Sequence, residues 1–161
     1  MMLYLASNTI PDISFAVHQC ARFTHNTKAS HKAAVKRICW YLQGTKDNGL
    51  VFNPSNKLVM DCYTDADFAG LWGHEYPQDP ICASSRTVFV VNFANCPLLW
   101  VSKLHTDIAL YTLHYEYVEL SHYVRALLLL KSLFKEVIGN FGFDSENMKF
   151  LSRSTIYEDN N

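Results

Sequence analysis

Three acidic residues stand where a fold could bring carboxylates together. Asp65 lies in "YTDADFAG" at the end of an apolar run, Glu116 begins a long apolar-periodic segment, and Asp159 follows the β-rich run "STIYE". Carboxylate oxygens are the hard ligands that Mg²⁺ takes, with waters and substrate phosphate completing its shell. Two such ions roughly 4 Å apart would activate a water and stabilise the leaving oxygen in phosphodiester hydrolysis. The pattern predicts a magnesium site, with solvated turn-forming acids as the alternative interpretation.

The elements between these acids predict an α/β chain. Runs rich in β-formers at 57–64, 86–93 and 98–104 precede a helix over 112–138 and the last strand, and "LVFN" at 50–53 predicts one more strand. A crossover helix lets the first and last strands lie parallel and adjacent. Asp65 and Asp159 would then leave the sheet at one edge, where open α/β sheets bind ligands.

The long helix is predicted to bury one apolar stripe with Glu116 at its border. The stripe consists of Leu113, Tyr117, Leu120, Val124, Leu127, Phe134 and Val137. Because Leu113 and Leu120 flank Glu116 at three and four residues, its carboxylate is expected at the edge of the buried face.

The first 48 residues predict a small, basic helical hairpin. One helix spans about 11–23, and a second begins at a Ser30 cap and ends at Gly44. Residues 1–57 hold seven Lys and Arg against two acids, whereas residues 58–161 hold seven against thirteen. A row of cations on the second helix is either a solvated face or a weak nucleic-acid-binding surface; it comprises Lys28, Lys32, Lys36 and Arg37.

Several classes of protein are not supported. The five cysteines are odd in number and contain no Cys-x-x-Cys pair, so neither a disulfide framework nor a zinc site is predicted. No apolar run approaches the roughly 20 residues of a membrane-spanning helix. The start "MMLYLASNTI" lacks a basic n-region, which indicates no signal peptide, and we expect an intracellular chain without membrane contact.

Five blocks of the sequence carry a resemblance to a known family. They are "YLASNTIPDISFAVHQCARF", "HKAAVKRICWYLQGTKDNGLVF", "YTDADFAG", "LLWVSK" and "EYVELS". In this order they resemble the Pol polyprotein of copia-type LTR retrotransposons, from the end of the reverse transcriptase into the ribonuclease H domain.

The resemblance implies a fold and a chemistry. Residues 1–48 would be a helical tail of the reverse transcriptase or connection region. Residues 49–161 would be an incomplete ribonuclease H-like domain, with a mixed β-β-β-α-β sheet truncated at its C-terminal end. Asp65, Glu116 and Asp159 would be its catalytic metal ligands, Mg²⁺ or Mn²⁺ its cofactor, and an RNA/DNA hybrid its substrate, beside the rest of the polyprotein. Asp67 would either be a turn residue or hydrogen-bond to the metal ligands without contacting the metal itself.

The chain departs from the family pattern in several places. Ile10 stands where the family has Arg, and Val88 stands where it has Gly. At the start of the long helix, His114 replaces the first Glu of the family pattern. Larger residues replace small ones at three positions there, namely Tyr111, Tyr115 and Glu119. An Ala-sized gap facing the sheet would be overpacked by Tyr, or would bury a charge if filled by Glu. The family's later helix, fifth strand and C-terminal acid have no counterpart. We therefore expect the isolated chain to be inactive, either as a former hydrolase or as a non-catalytic retroelement remnant with a weak nucleic-acid-binding or interaction role.

The magnesium hypothesis predicts the behaviour of Asp65→Asn. If the acids share a site, this substitution weakens Mg²⁺ binding and leaves the metal-free fold unchanged or more stable, because it relieves repulsion. Titration calorimetry with Mg²⁺ and urea unfolding without metal measure the two effects. A large loss of metal-free stability would instead assign Asp65 a structural hydrogen-bonding role.

Overall fold

The computed structural model describes residues 1–55, 57, 59–67, 84–105, 112–141 and 154–158. Within these ranges, residues 66, 67 and 112–115 are described by their backbone alone. The chain divides into two compact units, one of Met1–Val51 with Val101–Lys103 and the other of Phe52–Trp100 with Leu104–Asn161. The assignment of residues 1–48 to a polymerase tail and of 49–161 to a ribonuclease H-like domain stays a prediction. No helix in the described ranges is long and apolar enough to cross a membrane.

Three α-helices and a 3₁₀ turn form the helical unit. They are α1 (Met2–Asn8), the 3₁₀ turn Pro11–Ile13, α2 (Ser14–Ala21) and α3 (Ala29–Gly44). Pro11 suits the first position of its turn, where no backbone N–H is needed. The core is an aliphatic cluster that takes one buried residue from each element, namely Ala6, Ile13, Val17 and Ile38.

Three features of this unit differ from the sequence prediction. Helix α1 was not predicted. Helix α3 begins at Ala29 with Lys28 as its N-cap, and not at Ser30, because the backbone N–H of Lys28 donates to Nδ1 of His31 over 3.1 Å. The first predicted helix, at about 11–23, is divided into the 3₁₀ turn Pro11–Ile13 and the shorter helix α2, Ser14–Ala21.

Four strands form one mixed sheet in the order β3-β2-β1-β4. They are β1 (Met60–Asp67), β2 (Arg86–Phe93), β3 (Cys96–Leu104) and β4 (Ser154–Glu158). Strand β1 is antiparallel to β2, with Asp65 opposite Val88, and parallel to β4, with Thr64 opposite Glu158. The α/β class, the element order and the parallel contact of the first and last strands are confirmed.

The predicted strand at 50–53 is wrong. These residues are irregular, and β1 begins only at Met60. Val51 and Phe52 are 84% and 63% exposed, and residues 50–53 belong to no strand of the sheet among the described residues. Pro54, which has no backbone N–H to donate, follows directly.

The hairpin between β2 and β3 turns on two residues. Ala94 and Asn95 both have positive φ, 50° and 67°. Two consecutive left-handed residues give a turn whose twist matches that of the flanking strands. Asn tolerates this conformation better than other non-glycine residues, which suits Asn95 to the turn.

Helix α4 (Thr112–Asn140) packs on β1 and β2. The ring centroid of Phe134 in this helix lies 4.5 Å from the ring centroid of Phe93 in β2. The predicted helix is confirmed, but its stripe is only partly so: Leu127 is buried as predicted, whereas Tyr117, Leu120 and Val137 are exposed. The other buried residues of α4 are Glu119, Tyr123 and Ile138. The spacing of apolar residues did not predict this face correctly, because it left out Glu119 and Tyr123, which are buried.

The turn predicts opposite effects for two substitutions at exposed Asn95. Asn95→Gly should raise the free energy of unfolding by about 0.5 to 1 kcal/mol, because glycine adopts positive φ without a steric penalty. Asn95→Ala should lower it by about 1 kcal/mol, since alanine is strained there. Urea unfolding of both variants checks the sign, and equal stabilities would contradict a left-handed Asn95.

Candidate active site

The first turns of α4 present two acids to the sheet. Glu116 is half-buried, and Glu119, three residues later on the same side of the helix, is 1% exposed. One carboxylate oxygen of Glu119, Oε1, accepts the backbone N–H of Val88 in β2 over 3.3 Å. The other, Oε2, is buried without a hydrogen-bond partner among the described residues. A carboxyl group is therefore inserted between helix and sheet with only one of its two oxygens hydrogen-bonded.

The strands bring further acids towards this carboxyl. Asp65 is exposed near the end of β1 and lies opposite Val88, whose N–H holds Glu119. Glu158 is the last residue of β4 and lies beside Thr64 of β1. Because β1 and β4 are parallel, their carboxyl ends meet at one edge, and the negative charges of both strands collect there.

Burial and these charges raise the pKa of Glu119 to about 8. Loss of hydration is the largest cause, and the charges of Asp65, Glu158 and Glu116 add to it. The Val88 N–H acts in the opposite direction, because it stabilises the ionised form. At neutral pH the Glu119 carboxyl is thus mainly protonated and neutral.

Tyr123 continues the buried row one turn along α4. Its side chain is 1% exposed, and its hydroxyl has no hydrogen-bond partner among the described residues. Burial raises its pKa to about 12, with further contributions from Glu158, Cys62 and Glu119. The phenol stays neutral and serves as a space-filling side chain rather than as an acid or base at physiological pH.

The predicted ligand set is only partly visible. Asp65 and Glu116 both lie near enough to Glu119 to shift its pKa. Asp159 lies outside the described residues, as does the side chain of Asp67. Within the described ranges no three His, Cys, Asp or Glu side chains are placed to hold a metal ion. The metal site of Asp65, Glu116 and Asp159 stays a prediction.

Sequence reasoning missed the central role of Glu119 and overlooked Glu158. The sequence signal for Glu119 was its place in a helix entry where a small residue is expected. The structure does bury this acid, and its raised pKa keeps the carboxyl mainly protonated at neutral pH. Glu158 was available from its place directly before Asp159 in the last strand.

The four cations predicted as a row lie on α3 and at its N-cap, Lys28. Lys28, Lys32 and Lys36 line a groove of about 520 Å³, whereas Arg37 lies on the same helix and does not line it. Lys32, Lys36 and Arg37 are exposed. The predicted row is therefore split into three groove lysines and one separate arginine.

Comparisons with known proteins place the chain beside retrotransposon sequences. It is 33% identical over 136 residues to the retrovirus-related Pol polyprotein from transposon TNT 1-94 of Nicotiana tabacum. The matched region covers 84% of this chain and 10% of that polyprotein. It is 37% identical over 100 residues to the corresponding polyprotein from transposon RE1 of Arabidopsis thaliana, 62% of this chain and 6% of that polyprotein. The chain thus spans about a tenth or less of the plant Pol polyproteins that it matches.

A relative of similar length is also found. Secreted RxLR effector protein 161 of Plasmopara viticola is 30% identical over 120 residues, 74% of this chain and 79% of that protein. No family model matches the chain, and no solved structure matches it significantly.

The buried carboxyl predicts a specific dependence of stability on pH. A group whose pKa rises from 4.5 when unfolded to about 8 when folded binds its proton more tightly in the folded state. The free energy of unfolding therefore falls as pH rises across this window, by up to about 1.4 kcal/mol per pH unit from this group. Glu119→Gln removes the titration, so the variant should match the parent near pH 4.5 and exceed it by a few kcal/mol at pH 8.

Urea unfolding at several pH values measures this difference. Glu136→Gln is the matched control, because Glu136 is an exposed acid on the same helix. Its stability should follow the parent's across the window. A constant difference between Glu119→Gln and the parent from pH 4.5 to pH 8 would contradict a buried, protonated Glu119.

Proposed function

The chain belongs to the Pol polyprotein family of copia-type retrotransposons, and from this premise we propose that its sheet unit is a ribonuclease H-like segment without hydrolytic activity of its own. The ancestral activity in this proposal is metal-dependent hydrolysis of the RNA strand in an RNA/DNA hybrid. The ancestral partners are that hybrid and the rest of the polyprotein. The chain itself is a retroelement remnant.

The observation that carries the proposal is the buried carboxyl of Glu119. It lies between α4 and the sheet, beside Asp65 and Glu116, two of the three residues proposed as ligands. A protonated carboxyl neutralises one acid of the group without a cation. Mg²⁺ would have to displace that proton and also find room beside a side chain that is already packed.

The described donor set does not fit Mg²⁺ or Mn²⁺. Such a cation needs several oxygens converging at about 2 Å, and no three acidic side chains in the described ranges are so placed. Asp65 is exposed, Glu116 is half-buried, and Oε1 of Glu119 is directed to a backbone N–H. We therefore assign no hydrolytic step to this chain.

A non-catalytic interaction role is the second candidate. The observation in its favour is the lysine row of α3, which lies in the helical unit and does not involve the acids. Three cations at spacings of four residues suit a polyanionic partner, of which a nucleic-acid backbone is one class.

The first experiment is hydrolysis of a labelled RNA/DNA hybrid by the purified chain in Mg²⁺ or Mn²⁺. We expect no product above the protein-free background, while circular dichroism shows a folded protein, because the described carboxylates do not converge on a cation. An active bacterial-type ribonuclease H serves as the positive control for the substrate.

Asp65→Asn and Glu116→Gln are the matched variants. Metal-dependent cleavage by the parent that is lost in both variants would contradict the proposal and establish a working metal site. Cleavage that persists in both would identify a contaminating nuclease and leave the expected inactivity of the chain standing.

A further inference from the structure

An open groove runs along α3 within the helical unit. A cavity of about 520 Å³ lies between α3 and the end of α2. A second cavity of about 230 Å³ extends it towards α1 and shares Cys20, Thr24 and Val35 with the first. The two cavities contact α3 from Lys28 to Ile38, about 15 Å along the helix axis and close to three helical turns.

The floor of the groove is apolar. Cys20 and Val35 lie at its centre, and Val17 and Ile38, which belong to the core of the unit, line its far part. The second cavity is also lined by Met1, Met2 and Leu3. Methionine side chains are flexible and polarizable, and they adapt to apolar partners of varied shape.

One rim of the groove is basic. Lys28, Lys32 and Lys36 follow one another at intervals of four residues, so their positions repeat about every 6 Å along the helix. Lys32 and Lys36 are exposed. An apolar floor beside a regular row of cations is complementary to a surface that is apolar on one side and acidic on the other.

A nucleic acid fits this groove poorly. Sugar and phosphate over an aliphatic floor would leave polar groups without partners, and single strands are normally held by open aromatic faces. The ring of His31, which lines the groove, is stacked on Phe23 with centroids 4.2 Å apart, and the guanidinium of Arg22 lies 5.1 Å from the Phe23 centroid. These two rings are thus already engaged with each other, which disfavours stacking of a base between them.

We propose that the groove binds an acidic amphipathic helix of a protein partner. The apolar face of that helix lies on Cys20 and Val35, and its acids, spaced four residues apart, meet the lysine row with the same 6 Å repeat. This inference rests on the helical unit alone. It holds or fails independently of whether the sheet unit hydrolyses RNA.

Fluorescence anisotropy with the full chain tests the proposal. The probe is a labelled peptide of about 14 residues, four turns long, with Leu at helical spacing on one face and Glu at every fourth position beside it. A second peptide has the same composition in scrambled order, and a labelled 12-nucleotide RNA/DNA hybrid is the third probe. We expect a Kd on the order of 10 µM for the amphipathic peptide and at least about tenfold weaker binding of the scrambled one.

Three charge reversals on one helix separate the groove from general electrostatics. Lys32→Glu and Lys36→Glu should each weaken binding of the amphipathic peptide by about fivefold or more, whereas Arg37→Glu, outside the groove, should change it less than twofold. Val35→Asp, on the floor, should abolish binding, and circular dichroism verifies the fold of each variant.

Three results would overturn the proposal. The first is no binding of the amphipathic peptide at millimolar protein, and the second is equal binding of the scrambled peptide. The third is tighter binding of the hybrid, with equal losses in Lys32→Glu, Lys36→Glu and Arg37→Glu, which would identify a phosphate-binding helix face.

Discussion

The contact of α4 with the sheet depends on a carboxyl group inserted between them. Glu119 reaches the backbone N–H of Val88, and its other oxygen is buried without a partner among the described residues. An ionised carboxylate in such a place would lose its hydration and gain only one hydrogen bond, which is a large cost. The proton that Glu119 retains removes most of that cost, so the helix and sheet can pack at neutral pH.

The same contact connects the charge of the sheet edge to the packing of the helix. Asp65 and Glu158 belong to adjacent parallel strands, and Glu116 lies one turn before Glu119. Each of these charges makes ionisation of Glu119 harder. Parallel strands gather acids at one edge of a sheet, and in this chain a bound proton reduces the resulting repulsion. The charge at this edge and the burial of Glu119 in the helix–sheet contact therefore act on the same carboxyl group.

The two units differ in how they build their interiors. The helical unit has an aliphatic cluster with one buried residue from each of α1, α2, α3 and the 3₁₀ turn. The sheet unit also buries many polar side chains around the start of β2, including Ser84, Ser85 and Thr87. On the far half of α4, Leu129 and Leu133 are more than half exposed, as is Phe141 directly after the helix. Exposed apolar surface of this kind is typical of interaction sites, and the matched regions are 10% and 6% of the two plant polyproteins.

Periodicity and local chemistry in the sequence determined most elements of this protein, although they missed α1 and added a strand at 50–53. Alternating and helical patterns located β1 to β3, α4 and β4, and the crossover rule placed β1 beside β4. Tertiary structure decided what those patterns do not encode. The pattern of α4 favoured Tyr117 and Leu120 as buried residues, yet the close approach of the helix to β2 buries Glu119 and Tyr123 instead.

The helical unit shows the same distinction between what the sequence determines and what tertiary packing decides. The sequence determined that α3 carries a row of cations, because residues four apart lie on one side of a helix. Only the packing of α2 against α3 decided that three lysines border an apolar groove and that Arg37 does not. The physical reason is common to both units: spacing along the chain determines which residues share a face, while burial, pKa and partners depend on the element that packs against that face.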